Sequence, residues 1–444
     1  MMTPEQAQEL ARCAVSLTCA DEAEALVGVE HSALTRFANN RINQNVAEDN
    51  AQISVRAVLG TRIGVASTNR IDDASIAACC EAAVAAARIA PEDPAFPGLP
   101  GPTPVETRER ASKSVLAFDA NARAEAVRAI VEPSLDRNLV AAGKVRMGSH
   151  VVAVANSKGI DTGMATTGVQ ATVLSMNAAG SGWASYLGPD QGGFDPAALG
   201  LEAAELAVRS ANPVDLEPGV YRVVLGPDAV ADIMDFLAYM GFSAKAYAEG
   251  HSFMSEKLGT QVMSDLVSIV DDAFAPTAMG TTFDYEGVAK RRVILIDHGV
   301  AANPVTDSYW AAQTERANTG HALPAPNSWG PMPLNVEMLP GDATLDELIG
   351  SVKRGVYVTR FHYVNVEDPV PVTLTGMTRD GTFMIEDGKL TSPLKNLRFT
   401  QSAVEALKGC EGVTAQRKFV GTEEGASLVP GILLAGFNFT GQTA

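Results

Sequence analysis

The chain has 444 residues, with 34 lysines and arginines against 52 aspartates and glutamates, so its formal net charge is −18. This balance argues against a protein that holds nucleic acid, because such a protein needs clustered basic residues to displace the counterions of the phosphate backbone. The tightest basic cluster, formed by Lys290, Arg291 and Arg292, is interpreted as a solvated strand of a hairpin.

The hydrophobic content of 46% is enough for more than one core, since a domain usually takes about 100 to 200 residues. The five cysteines are scattered and form no CxxC pair, which favours a reducing cytosol over a disulfide framework. The first residues lack the basic start and apolar centre of a signal peptide, and no segment approaches the ~18 apolar residues of a membrane span. We therefore expect a cytoplasmic protein that does not contact membrane.

The N-terminal half is predicted to combine helices with a meander of strands. A capping box at Thr3 and Gln6 predicts the start of the first helix, and 72–90 consists almost entirely of helix-forming residues. Five short strands are predicted between these helices, in a meander with one helix-covered face, at 25–29, 34–37, 42–46, 53–59 and 62–67. The proline-rich stretch 91–104 is predicted to be an extended surface connection.

The elements that follow complete a predicted N-terminal α/β domain at 1–212. Further strands are predicted at 145–155 and 168–176, with helices at 119–132, where Pro133 should end the helix, and from Asp195 onward. The glycines at 180–182 and 192–193 are predicted to lie in loops, because they lack the context of a phosphate-binding loop. Turn-forming residues at 213–219 predict a domain boundary.

Residues 220–444 are predicted to form a β-rich barrel or sandwich domain decorated with helices, so the expected fold class is α+β. Its predicted strands are 220–225, 292–296, 356–363, 382–385 and 431–439, and its predicted helices are 228–240, 344–352 and 402–408. A second capping box, at Thr344 and Glu347, marks the start of the middle helix.

No motif for a familiar catalytic centre is present in the sequence. It contains no HExxH and no GxSxG, and no two of its six histidines share a helix at the spacing of zinc ligands. Cys410 follows a helix and could be exposed, although a structural thiol is favoured over a nucleophile. The carboxylates at Asp271, Asp272, Asp284 and Glu286 are interpreted as solvated residues of surface loops.

The strand 356–363 offers a possible binding face. Alternation along a strand places Arg360 and His362 on one side, and Phe361 and Tyr363 on the other. The polar side could bind the carboxylate or backbone of a peptide, and it could equally be a satisfied cross-strand pair.

Eight segments carry a family resemblance, and they follow the same order along nearly the whole chain. They are 33–42, 53–56, 64–69, 223–227, 255–259, 280–288, 339–342 and 382–390. Through them the chain resembles the TldD/PmbA family, also called modulators of DNA gyrase, whose PmbA branch is also known as TldE.

The resemblance implies that the zinc site of the TldD branch is absent here. In that branch a helix carries HExxxH, whose histidines bind zinc together with a later cysteine, while the glutamate serves as general base. The matching positions here are Asp235, Phe236 and Met240, and the stretch 421–425 offers no thiol as third ligand. The resemblance therefore implies the TldE-like branch, with no metal or cofactor in this chain and zinc only in a catalytic partner.

The implied function is that of a non-catalytic subunit of a metalloprotease that encloses unfolded peptides, inactive alone. Its partner would be a TldD-like zinc subunit or a second copy of the chain, and Arg360 and His362 are the candidate substrate-binding residues. One alternative is a self-sufficient hydrolase with an unusual site drawn from a set of histidines and a cysteine, namely His251, His298, His321, His362 and Cys410. Another is a homodimeric peptide-binding protein without a protease partner.

Overall fold

The computed structural model describes residues 2–276, 278–421 and 425–442. Among these residues the helices are α1 (Pro4–Leu17), α2 (Asp73–Ile89), α3 (Lys113–Leu116), α4 (Ala120–Leu135), α5 (Pro196–Arg209), α6 (Pro227–Gly241), α7 (Ala244–Ala248), α8 (Ser308–Gln313), α9 (Leu345–Gly350) and α10 (Ala403–Lys408). None of these helices combines the length and apolar character needed to cross a bilayer.

The strands of the N-terminal half form one antiparallel sheet, and the remaining strands form a second, mixed sheet. The strands of the first sheet are β1 (Glu22–Ala38), β2 (Arg41–Leu59), β3 (Arg62–Thr68), β4 (Val140–Asn156), β5 (Asp161–Met176) and β6 (Ser181–Gly188). Those of the second are β7 (Gly219–Leu225), β8 (Ile269–Asp271), β9 (Val293–Asp297), β10 (Val300–Ala301), β11 (Asn335–Met338), β12 (Arg354–Asp368), β13 (Thr373–Glu386), β14 (Lys389–Pro393), β15 (Leu397–Ser402), β16 (Cys410–Gly421) and β17 (Ala426–Gln442).

The first sheet has the order β3-β2-β1-β4-β5-β6 and carries its helices on one face. Side chains alternate across a strand, so Val27 and Phe37 of β1 point to the same face. There α1 and α2 cover one end of the sheet, and α3, α4 and α5 cover the other end. The opposite, helix-free face turns toward the second half of the chain, where Val152 and Val154 pack against Phe283. The predicted meander with one helix-covered face is therefore confirmed.

The first strands are longer than the sequence predicts. Breaks were expected near Glu30 and Asp49, but β1 and β2 pair without interruption through both positions. These polar side chains lie on an exposed part of the hairpin, where they do not disturb the hydrogen-bond ladder. The turn at Asn39 and Asn40 is where the sequence places it, and both residues have positive φ angles, of 51° and 61°. Because β3 reaches only as far as Ile53, no described strand pairs with the outer edge of β2 from residue 41 to 52.

Two glycines let helices approach the first sheet closely. A Cβ at Gly182 would lie 2.2 Å from the carbonyl oxygen of Ala203 on α5, and one at Gly64 would lie 2.2 Å from the carbonyl oxygen of Ala83 on α2. Only glycine permits such contact between a strand and a helix backbone. The prediction of a loop at 180–182 is thus wrong for Ser181 and Gly182, which belong to β6, whereas 192–193 do lie in a loop.

The helix caps agree with the sequence, with one exception at a helix end. Thr3 forms the predicted capping box with Gln6, and the carboxylate of Asp195 accepts from the backbone N–H of Ala198 at the start of α5. However, α4 continues past Pro133 to Leu135, so the predicted end at that proline is wrong. A proline in the last turn removes one backbone hydrogen bond, and the helix still closes because Asp136 donates its N–H to the carbonyl of Glu132.

The second sheet closes partly on itself. Its order is β10-β9-β8-β11-β17-β15-β13-β12-β7, with β14 beside β13 and β16 beside β17. Because β7 pairs with β12 in parallel and with β17 in antiparallel fashion, the pairings return to β7 and form a partial ring. Phe361, Phe399 and Phe437 fill it with mutual ring contacts at 4.5 to 5.6 Å, and Met234 and Leu237 of α6 complete the same core. The predicted α+β class is confirmed.

The segment 213–219 joins α5 to β7, where the sequence predicts a domain boundary. It contains little regular structure, apart from a bridge between Val214 and Leu394. The division into domains at this point stays a prediction.

Candidate functional site

A cleft of about 670 Å³ lies between the helix-free face of the first sheet and the second sheet. One wall is made by residues of β4 and β5, among them Lys144, His150 and Gln170. The other wall includes Asn335 of β11 and Phe419 of β16. A second hollow of about 620 Å³ continues along the first sheet and shares Glu30 and His150 with the cleft. Together they form a groove lined by both polar and apolar side chains.

The carboxylates that line the cleft are neutralised by nearby arginines. Glu30 forms an ion pair with Arg146 at 2.5 Å across the first sheet. On the other wall Asp272 pairs with Arg292 at 3.2 Å, and Glu337 pairs with Arg417 at 2.9 Å. The His150 side chain reaches solvent through the cleft. Surrounding protein atoms still exclude part of its hydration, and this lowers the pKa of its imidazole. The cleft therefore carries no surplus of negative charge.

The family motif positions lie on α6, beside this cleft. Asp235 lines a recess of about 10 Å³ that shares Leu334 and Val336 with the cleft. Phe236 and Met240, one turn apart, are partly buried and pack against the core of the second sheet. Apolar side chains at these two positions offer no metal ligand and no general base.

The described residues do not fit the zinc ion that the TldD branch would hold. Within 2–276, 278–421 and 425–442, no group of three or more histidine, cysteine, aspartate or glutamate side chains is arranged to bind a metal ion. The stretch 421–425, considered for a third ligand, lies partly outside the described residues, since Thr422, Glu423 and Glu424 are not described.

Arg360 lies at the contact between the two sheets and not in the cleft. Its guanidinium donates from Nε and Nη2 to Oδ2 of Asp380, at 3.0 and 2.6 Å, and lies 4.2 Å from the ring of Trp183 on β6. Asp380 also accepts from the hydroxyl of Ser181 at 2.6 Å. The side chain of Arg360 thus has a cross-strand carboxylate partner, one of the two readings that the sequence left open.

His362 is exposed on β12, and the predicted alternation fails just beyond it. Phe361 is buried in the core as expected, but Tyr363 is 77% exposed because its φ angle of 55° turns the strand there. Neither Arg360 nor His362 is among the described residues that line the cleft. Their role in holding a peptide stays a prediction.

A buried ion-pair cluster, which the sequence did not reveal, links the two halves. Nη2 of Arg56 on β2 donates to Glu24 at 2.7 Å and to Glu286 at 3.1 Å, and these three side chains are 12%, 5% and 11% exposed. Burial opposes the charge of Arg56, but the two carboxylates outweigh it and raise the pKa of the guanidinium. The expectation that Glu286 is solvated is wrong, because this loop packs against the helix-free face.

The neighbouring acidic residues are buried as well, contrary to prediction. The carboxylate of Asp284 accepts the backbone N–H groups of Glu286, Val288 and Ala322 at 2.9 to 3.0 Å. Asp271 bonds to Nε2 of His321 at 2.9 Å, and both side chains are fully buried. Backbone N–H groups of its own turn, together with that of Ala322, satisfy Asp284, whereas Asp271 is satisfied by His321 and by the backbone N–H of Asn335 on β11.

The basic triplet at 290–292 also differs from its predicted role. Lys290 is 7% exposed and precedes β9, while Arg291 and Arg292 lie on the surface. Burial lowers the pKa of Lys290, and the carboxylates of Asp271 and Asp284 oppose that shift. The triplet is therefore not a solvated strand, because its first residue is enclosed with the buried carboxylates.

The residues considered for a self-sufficient hydrolase are dispersed. Cys410 is buried, in agreement with the favoured structural thiol, and burial raises the pKa of its thiol to about 11. His321 is buried with Asp271, while His251 and His298 are exposed on separate loops. A thiol of this kind is a poor nucleophile at neutral pH.

Comparison with known proteins identifies the family. The family profile described as "PmbA/TldA metallopeptidase C-terminal domain" matches residues 218–441, and "PmbA/TldA metallopeptidase domain 1" matches residues 23–87. A metalloprotease TldD homolog of Haemophilus influenzae is 29% identical over 210 residues, which are 47% of this chain and 43% of that protein. The chain spans under half the length of the first curated relatives that it matches.

Solved structures show the same fold over nearly the full length. TldE from Thermococcus kodakarensis matches with a TM-score of 0.88 and 19% identity, over 98% of this chain and 99% of that one. A Thermotoga maritima protein, named as a candidate modulator of a DNA gyrase, matches with a TM-score of 0.83 and 19% identity, over 94% of this chain and 96% of that one. With the profile covering half of the sequence, these likenesses lead to one conclusion: the chain belongs to the PmbA/TldD metallopeptidase family.

Proposed function

We propose that this chain is the non-catalytic, substrate-enclosing subunit of a TldD/TldE-type protease that acts on unfolded peptides. The observation that carries the proposal is the state of α6, where Asp235, Phe236 and Met240 occupy the positions of HExxxH. Phe236 and Met240 pack on the core, so they cannot present ligands without rebuilding the helix face. The catalytic zinc would belong to a TldD-like partner.

The cleft supports a role in holding peptide. Unfolded chains vary in sequence, so a protein that grips them needs a long groove with polar walls and apolar stretches. The cleft and the hollow beside it have this form, and α6 lies at one side of the cleft. Substrate held in this cleft would lie beside α6.

The buried state of Cys410 and His321 argues against a self-sufficient hydrolase. A nucleophile and its base must reach each other and the substrate within hydrogen-bond distance. Cys410 bonds within its own strand to the carbonyl of Gly412, while His321 is enclosed with Asp271 and Thr319. Reconstitution with a zinc-bearing relative distinguishes the remaining alternative, a homodimeric peptide-binding protein without a protease partner.

Reconstitution with a zinc-bearing relative tests the proposal. The purified chain is mixed with a TldD-like protein that carries an intact HExxxH, followed by size-exclusion chromatography, zinc analysis and cleavage of an unfolded fluorogenic peptide. We expect a mixed complex with zinc only in the partner, and cleavage only when both proteins are present. A complex whose partner carries glutamine for the motif glutamate is the matched control and should form without cleaving.

Two outcomes would contradict the proposal in different ways. Stoichiometric zinc and robust cleavage by the isolated chain would show that it is itself a hydrolase. A stable homodimer that ignores the zinc-bearing relative but retains peptides would instead support the homodimeric peptide-binding protein.

A further inference from the structure

One cation in the cleft has no anionic partner. Lys144 lies on β4, in register with Arg36 of β1 and Thr172 of β5, so it points from the helix-free face into the cleft. Within the described residues its ammonium makes no ion pair or side-chain hydrogen bond. The lining carboxylates Glu30, Asp272 and Glu337 are already matched with arginines. The cleft therefore carries one positive charge that nothing in the described chain neutralises.

The surroundings of Lys144 favour the binding of an anion beside its ammonium group. Partial burial lowers the pKa of its amine, and the positive charges of Arg146 and Arg36 lower it further. An anion placed beside the ammonium would offset both the lost hydration and this repulsion. In a molecule with a net charge of −18, such a local excess of cations marks one place where an acidic group is favoured.

The opposite wall holds an unpaired hydrogen-bond donor. Asn335 on β11 is 8% exposed, and its side-chain Nδ2 is buried without a hydrogen-bond partner. Both backbone groups of Asn335 have hydrogen-bond partners: its N–H donates to the carboxylate of Asp271, and its carbonyl accepts from the N–H of Asp272. A buried amide donor without a partner destabilises the empty protein, so a ligand carbonyl that accepts from it binds favourably.

We propose that the cleft recognises a carboxylate on the bound peptide through Lys144, while Asn335 donates to a peptide carbonyl. The carboxylate comes either from an acidic side chain or from the peptide's C-terminus. Met279, Leu187 and Phe419 contribute apolar surface to the same cleft. This inference rests on the proposed function, since it names the class of peptide that the subunit holds.

Binding of three disordered ten-residue peptides tests the inference. All carry a fluorophore on a glycine- and serine-rich chain; one has a central aspartate and an amidated C-terminus, one a central asparagine and an amide, and one a central asparagine and a free carboxylate. Dissociation constants are measured by anisotropy at 0.15 M salt, where the screening length of about 8 Å suppresses the repulsion from distant charges. The protein is the full chain, alone and in complex with its zinc-bearing partner inactivated at the motif glutamate.

We expect at least one carboxylate-bearing peptide to bind about tenfold more tightly than the neutral one. Whichever binds more tightly identifies the source of the carboxylate. Lys144→Met should remove the preference without changing binding of the neutral peptide, whereas Lys353→Met, at an exposed lysine away from the cleft, should retain it. Asn335→Leu should weaken all three peptides by about the same factor, because it removes a contact to the backbone.

Each alternative result has a distinct meaning. Equal binding of the three peptides by the unaltered protein, or a preference that survives Lys144→Met, would overturn the inference and leave the proposed function intact. Failure of every peptide to bind, in the complex as well as alone, would contradict the proposed function itself. Circular dichroism and thermal melting of each variant establish that the comparison is made between folded proteins.

Discussion

Asp232 lies on α6 one helical turn from Asp228 and from Asp235, close to the Arg360 contact. Burial raises the pKa of its carboxyl group to about 8, and the charges of Asp228 and Asp235 raise it too, while Arg360 lowers it. The folded protein thus holds a proton that the unfolded chain releases near pH 4. Between about pH 4 and pH 8 this group makes the folded state less stable as the pH rises.

The variant Asp232→Asn should flatten that pH dependence. One extra proton in the folded state changes the free energy of unfolding by at most about 1.4 kcal/mol per pH unit, and the variant removes this contribution. Urea unfolding at pH 5, 6, 7 and 8 measures the slope for both proteins. Asp215→Asn, at an exposed aspartate, is the control and should follow the unaltered protein. An unchanged slope in Asp232→Asn would show that Asp232 is ionised throughout this range.

The buried cluster of Arg56, Glu24 and Glu286 predicts a large loss of stability on truncation. Arg56→Met leaves two buried carboxylates without a cation, so we expect a loss of about 3 to 5 kcal/mol in the free energy of unfolding. Arg128→Met removes a guanidinium from the exposed pair with Glu125 and should cost less than about 1 kcal/mol. Chemical denaturation at neutral pH measures both, and equal losses would contradict the assigned burial. Adding Glu24→Gln and Glu286→Gln to Arg56→Met should recover part of the loss.

The sequence did not predict this cluster. Glu24 lies just outside the predicted strand 25–29, and its pairing with Arg56 follows from the cross-strand register of β1 and β2. Glu286 is 230 residues further along the chain than Arg56, and nothing in the sequence indicates that it contacts them. Contacts between distant segments depend on how the two sheets pack, and no local pattern of residues encodes that packing. For the same reason, the sequence did not predict that Lys144 and Asn335 lie on opposite walls of one cleft.

At the scale of elements, the close contact between β6 and α5 depends on the missing side chain of Gly182. Gly182→Ala would place a Cβ 2.2 Å from the carbonyl oxygen of Ala203 and 2.4 Å from the nitrogen of Ala207. Since backbone atoms cannot move aside cheaply, the helix must shift, and we expect a loss of about 2 kcal/mol or more. Gly101→Ala, where nothing lies within 4 Å of the new Cβ, should change stability by less than about 0.5 kcal/mol. Thermal and urea unfolding of both variants give the comparison, and a neutral Gly182→Ala would refute the assigned contact.

Helices were easier to predict from this sequence than strands, for a physical reason. Caps such as Asp195 and the capping box of Thr344 with Glu347 act within four residues, so their signal is local. Strand length is set by the partner strand, and a polar residue on a ladder's solvent side gives no sign of a break. This is why five strands were predicted where β1, β2 and β3 form three, and why Tyr363 did not follow the alternation of β12.

At the scale of the whole molecule, two largely buried arginines link the first sheet to the C-terminal half of the chain. Arg56 of the first sheet forms an ion pair with Glu286 of the C-terminal half. Arg360 of the second sheet forms a cation–π contact with Trp183 on β6 of the first sheet. The guanidinium of Arg110 adds a third link, since it donates to the carbonyls of Ala273 and Gly280. We therefore expect the two halves to unfold as one cooperative unit.

Removing the links made by Arg56 and Arg360 should separate the unfolding of the two halves. In scanning calorimetry we expect one transition for the unaltered protein and two for the double variant Arg56→Met with Arg360→Met, because each half retains its own core. Arg128→Met combined with Arg62→Met, both at exposed ion pairs, is the matched control and should keep one transition. Two resolved transitions in the unaltered protein would show that the links do not couple the halves.

The outer edge of β2 from residue 41 to 52 has a consequence for the behaviour of the chain at high concentration. An unpaired strand edge of this length is a template on which other chains can add and aggregate. Its side chains oppose such growth, because Arg41, Glu48 and Asp49 must lose water and face like charges when identical edges stack in register. Colloidal stability thus depends on charges that contribute little to the fold. We expect that neutralising them would make the protein more prone to fibril formation, which thioflavin fluorescence at high protein concentration would detect.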